Sequence, residues 1–132
     1  MPGLGVLDDW DVACRARANV LIIGPTDTTT AVVCESRVAL SEPVISALCT
    51  DALVLPSAGL AGTLVLHDVG RLALVDQLRL AMWLETTHAQ VISTSAEPLL
   101  PLVQTGLFLE MLYYRLNTIC LDAHVISSFS YA

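Results

Sequence analysis

Two short stretches carry residue types able to handle a phosphate. The first, NVLIIGPTDTTTAVV at 19 to 33, reads as a strand that breaks into a glycine turn and then a helix. In a loop of the form G-x-x-x-x-G-K-[ST], backbone N–H groups cradle the phosphate, the lysine adds positive charge and the hydroxyl reaches a metal. Counted from Gly24, the last three places fall on Thr29, Thr30 and Ala31. Threonine lacks the backbone freedom of the glycine it replaces. Thr30 brings no charge, and the chain contains no lysine at all. Asp27 adds a negative charge where the anion would sit. What persists is weak anion binding by N–H groups at the helix start, or an ordinary turn whose Thr or Asp caps the helix.

The second stretch is His67-Asp68, at the end of the apolar run in GTLVLHD. Imidazole is a poor ligand for Mg²⁺, which prefers carboxylate and phosphate oxygens. A metal or acid-base role would need partners, and His88 and His124 stand at no ligand spacing. Cys14, Cys34, Cys49 and Cys120 form no C-x-x-C pair, which argues against a zinc knuckle or a redox motif. They are expected as reduced core residues. Asp8, Asp9 and Asp11 read as a solvated helix start, and no G-x-S-x-G elbow or Cys-His pair is present. No metal site is expected.

The elements that hold these residues alternate. Apolar runs at Asn19 to Ile23, Pro43 to Leu48, Thr63 to Asp68, Gln90 to Ser95 and Thr118 to Leu121 read as strands of a parallel sheet covered on both faces. Helical segments lie between them: DDWDVACRARA from Asp8, Thr28 to Leu40, Ala73 to Glu85, Pro98 to Gln104 and Gly106 to Tyr114. The 132 residues make one domain, an α/β doubly wound, mostly parallel five-stranded sheet.

Composition excludes several partners. The net charge is −7 and the six basic residues, all arginine, form no cluster, so direct nucleic-acid binding is not expected. The longest uncharged apolar stretch, Ala52 to Leu66, is broken by Pro56, Gly59 and Gly62 and is too short for a bilayer. The opening MPGLGVLDDWD has no export signal, and the chain is expected in the cytoplasm. At 55% hydrophobic and 14% charged residues, it is more apolar than a lone domain needs to be, so a homo-oligomer, a dimer, is expected.

AGTLVLHDVGRLALVDQLRLAMWLE, followed some way on by GLFLEMLYYRLN, resembles the AAA+ ATPase domain of the sigma-54-dependent transcriptional activators. That family carries GGTLFLDEIGEL, a helix with LQ..LL..L, and later GRFREDLYYRLN. Gly62, Thr63, Leu64, Leu66, Gly70, Leu72, Gln77, Leu78 and Leu84 fall in register, as does the string Leu112, Tyr113, Tyr114, Arg115, Leu116 and Asn117. The resemblance implies a P-loop NTPase/AAA+-like core, without the helical lid domain, for which DAHVISSFSYA leaves no room. It also implies that the chemistry has been replaced. His67 and Asp68 stand where the family has Asp-Glu, and Ala96 where a polar Asn senses the γ-phosphate. Leu109 takes the place of one of two ring-bridging arginines, leaving Arg115. The sigma-contacting GAFTGA loop would fall in TDALVLPSAGLA and is missing.

Together these features make Gly24, Thr29, Thr30, His67, Asp68 and Ala96 a vestigial nucleotide site and Arg115 a vestigial bridging residue. A non-catalytic protein-interaction or regulatory module that needs no cofactor is expected, linked to transcription or signalling by the resemblance. The rival reading is weak ATP binding or residual ATPase activity. A third is a receiver-like fold, which a central first strand in the order 5-1-4-3-2 would exclude.

Overall fold

The computed structural model describes residues 12–14 and 16–123. Five strands, β1 (Val20–Ile23), β2 (Val44–Leu48), β3 (Thr63–His67), β4 (Gln90–Ser95) and β5 (Ile119–Asp122), alternate with helices. The helices are α1 (Thr26–Glu35), α2 (Leu74–Thr86), α3 (Leu100–Gln104) and α4 (Glu110–Leu116). All neighbouring strands run parallel, in the order β2-β3-β4-β1-β5. Read from the other edge this is 5-1-4-3-2, the order expected of an AAA+ core.

The strands read as unbroken apolar runs because both faces are covered. On one face Leu21, Leu64, Leu66 and Val91 pack with Leu80 of α2, Phe108, and Leu112 and Leu116 of α4. On the other, Val20, Ile22, Val65 and Ile92 meet Ala13 and Cys14, and Val32 and Val33 of α1. Polar side chains join the layers. The fully buried Gln77 donates to the carbonyls of Leu72 and Leu107 and accepts the Leu109 N–H, clamping the start of α2 to the segment that leads into α4. Where the strands begin, the Arg17 guanidinium donates to the carbonyls of Ala61, Gly62 and His88, pinning the chain before β1 to the entries of β3 and β4. Among the described residues no helix is long and apolar enough to cross a membrane.

Several boundaries differ from the sequence reading. α1 starts at Thr26 and stops at Glu35, because a tighter 3-10 turn over Arg37–Ala39 follows and turns Leu40 into the core. β3 stops at His67, because Asp68 takes up a left-handed conformation, φ 59°. α4 starts only at Glu110. Gly106, φ 79°, ends α3 instead of opening the next helix, and the N–H groups of Leu107 and Phe108 both donate back to the Leu102 carbonyl. Only Cys14 and Cys49 are core residues; Cys34 and Cys120 are exposed. Of the helix read from Asp8, the acidic opening Asp8 to Asp11 lies outside the described residues, as does His124.

Candidate functional site

A parallel sheet offers its crevice at the carboxyl ends of the strands. There β1, β3 and β4 end side by side, which brings Gly24, Asp68, Ser95 and Ala96 together. The Gly24 N–H donates to the Ser95 carbonyl at 3.0 Å. Pro25 opens α1, and its carbonyl accepts the Thr29 N–H at 2.9 Å. No side chain caps the helix from Pro25. The capping expected of a Thr or Asp before the helix is absent, because those residues lie inside it. Asp27, in the first turn, instead accepts the Thr28 N–H at 2.9 Å. A carboxylate of the chain itself thus stands at the positive end of the helix dipole, where an anion would bind.

Thr29, at the second-glycine place, is buried, and its hydroxyl turns back to donate to the Thr26 carbonyl at 3.1 Å. Thr30, at the lysine place, is exposed. At the end of β3 the left-handed turn overrides the strand's alternation of faces. Beside that turn lies the Asp68 carboxylate. It accepts from the Thr26 hydroxyl at 3.5 Å, while the Asp68 N–H donates to Thr94 Oγ1 at 3.1 Å. Thr26 and Thr94 escaped the sequence reading because the contact depends on that one backbone conformation. Thr26 lay within the phosphate-loop stretch, and Thr94 two residues before Ala96.

His67 is half-buried, and its imidazole is held below the usual value by burial, with Asp68 pulling the other way. Its carbonyl accepts the Cys49 N–H at 2.9 Å. The Cys49 thiol is pushed up to about 12 by burial and by the nearby charges of Asp68 and Asp76. Beside Asp68 opens a cavity of about 230 Å³, lined by Arg71, Ser95, Ala96, Glu97 and Leu102. Both charge signs line it.

Arg115 does not join this group. It lies at the other end of the molecule, where its guanidinium meets Glu85 at 3.7 Å and its carbonyl accepts from Asn19, ahead of β1. The segment between β2 and β3 is tied down on α2: Trp83 Nε1 donates to the Pro56 carbonyl at 2.8 Å and Arg79 to that of Leu53 at 2.8 Å.

The helix N-terminus faces a carboxylate, no lysine is available, and the strand-end pair is an imidazole and a carboxylate committed to Thr26. Among the described residues no three His, Cys, Asp or Glu side chains group closely enough to hold a metal ion.

Three solved structures of NtrX from Brucella abortus share the fold. With ATP bound it is 17% identical with a TM-score of 0.70, and with ADP bound 17% identical with a TM-score of 0.72. A third structure is 16% identical at 0.70. Each match covers 93% of this chain and 37, 36 and 37% of the respective NtrX chain, so the chain spans little more than a third of their length. No curated protein sequence matches. The family profile described as the sigma-54 interaction domain matches residues 10–124. With that match over most of its length, the chain belongs to the sigma-54 interaction domain family, on a P-loop NTPase/AAA+ fold.

Proposed function

We propose that this chain is a non-catalytic member of the family, a scaffold for protein contacts in a regulatory setting such as transcription, acting in the cytoplasm. The observation that carries the reading is the Asp27 carboxylate on the Thr28 N–H at the start of α1. A phosphate arriving there meets a fixed negative charge before it meets a donor, and no lysine offsets it. The strand-end residues support the same reading, since His67 offers Mg²⁺ a poor ligand and Asp68 is turned to Thr26. The tied-down segment between β2 and β3 supports a contact made elsewhere than through a projecting sigma-touching loop.

Calorimetric titration with Mg-ATP tests this, together with a phosphate-release assay. No saturable binding in the micromolar range and no turnover above a blank are expected. Thr29→Gly with Thr30→Lys should not restore hydrolysis, because His67, a poor ligand for Mg²⁺, still stands where the family has the first carboxylate of its Asp-Glu pair. Saturable micromolar binding by the unaltered chain, or turnover, would return it to the rival class of weak ATP-binding proteins.

A further inference from the structure

The cavity beside Asp68 has two walls, each held by its own backbone. One is the 3-10 turn over Val69–Arg71, in which the Arg71 N–H donates to the Asp68 carbonyl at 2.9 Å and sets the two charged residues at its ends. The other is the stretch after β4, where Ser95 Oγ donates to the Glu97 carbonyl at 2.5 Å. Val69 and Leu99 anchor these walls in the core. The walls meet at Gly70, where a Cβ would lie 3.2 Å from Leu99 Cδ2 and 3.5 Å from Leu102 Cδ1. The space between them, about 230 Å³, is therefore framed by anchored backbone.

Its charges are unmatched. Asp68, Arg71 and Glu97 line the cavity together, yet among the described residues no ion pair joins them and the Arg71 guanidinium has no carboxylate partner. Arg71 and Glu97 are exposed and Asp68 is half-buried, so two of the charges stand at the mouth. Opposite charges held apart across one small cavity are matched by a ligand that carries both. Arg71 offers a planar fork that takes a carboxylate through two parallel N–H bonds. Asp68 and Glu97 call for two cationic groups, and Leu102 offers apolar surface to the methylenes between them. The volume falls below the range of about 300 to 1,000 Å³ of pockets for drug-sized ligands, so the ligand has few atoms. We infer that this cavity binds a free α-amino acid with a cationic side chain. The inference rests on the non-catalytic reading, under which no nucleotide competes for the crevice, and it gives the regulatory module a signal to sense.

Calorimetric titration of the full chain with L-arginine and with L-lysine tests this, at about 0.15 M salt so that loose attraction to the acidic surface is screened. Saturable binding of at least one of them, with a dissociation constant of about 100 µM, is expected. L-alanine, L-glutamate and the decarboxylated amines agmatine and cadaverine should each bind at least about tenfold more weakly, since each leaves a lining charge unmatched. Arg71→Gln should weaken the amino acid about tenfold and leave the amines unchanged, which a folding defect would not do. Ala96→Leu, which fills the space from an exposed position, should abolish binding with the melting temperature unchanged.

The assignment is overturned if neither basic amino acid saturates the chain below about 10 mM. It is overturned equally if alanine or glutamate binds as well as they do, or if their binding is indifferent to Arg71→Gln or to Ala96→Leu. Titrating Mg-ATP alongside separates the two claims. A chain that binds neither sinks the amino-acid site alone, and a chain that binds a basic amino acid and Mg-ATP sinks the non-catalytic reading alone. Binding of Mg-ATP only would sink both.

Discussion

Asp27 shows how much one side chain can change at a helix start: the carboxylate that accepts the Thr28 N–H does from inside the chain what a phosphate would do from outside. His67 makes a second residue-scale argument. Burial holds its imidazole below the usual value of about 6.5, so just below that pH the unfolded chain takes up a proton more readily than the folded one. Stability contributed through His67 is complete above that value and falls as the pH drops through the window beneath it. Between about pH 7.5 and about pH 5.5 the melting temperature of the wild type should therefore fall further than that of His67→Gln. Equal falls would remove His67 as the cause. The cysteines give a third test. The thiolate is the reactive form, and the Cys49 thiol, pushed up to about 12, should resist iodoacetamide at mildly alkaline pH, as should buried Cys14. Exposed Cys34 should label first and Cys120 behind it, since burial and Asp122 raise the Cys120 thiol. Mass spectrometry of a labelling time course reads the order, and early labelling of Cys49 would contradict the burial described for it.

Between β2 and β3 the chain passes so close to itself that only glycine fits. A Cβ at Gly62 would run into the Pro43 carbonyl oxygen and lie 2.7 Å from the Pro43 nitrogen, both backbone atoms. That same carbonyl accepts the Thr63 N–H, the first bond of the β2–β3 pair. Gly62→Ala should thus cost about 3 kcal/mol or more, read as a lower midpoint in chemical denaturation. A loss below about 1 kcal/mol would mean that the strand entry yields freely. In the sequence Gly62 helped to exclude a membrane span and stood in register with the family's strand, but nothing there showed how close Pro43 comes to it. The strands themselves were legible because a doubly covered strand has to be apolar throughout. Their ends fell within one residue of those expected, and both ends of β4 coincided; the boundaries that the sequence concealed are set by single backbone conformations. The close of β3 hangs on the left-handed Asp68, the close of α1 on a 3-10 turn, and the start of α4 on a glycine that ends the helix before it. Of the strand-end residues, Gly24, Thr29 and Thr30 could be named from the phosphate-loop register and His67, Asp68 and Ala96 from the resemblance, whereas the Thr26–Asp68 and Asp68–Thr94 bonds exist only once the left-handed turn is known.

Across the whole molecule the strand order governs more than the position of the crevice. β1 is the first strand in the sequence, yet it lies between β4 and β5, with Val20 opposite Ile92 on one side and Ile119 on the other. β2, β3 and β4 find one another over shorter stretches of chain. As the chain leaves a ribosome, VLII of β1 therefore emerges early and waits, with no neighbour to hydrogen-bond, while three later strands are made and assemble among themselves. It can be received on its second side only once Ile119 to Asp122 have been made. A ribosome stalled before that point would hold a chain with an apolar edge open to any passing strand. Completion of the sheet is thereby tied to the synthesis of β5.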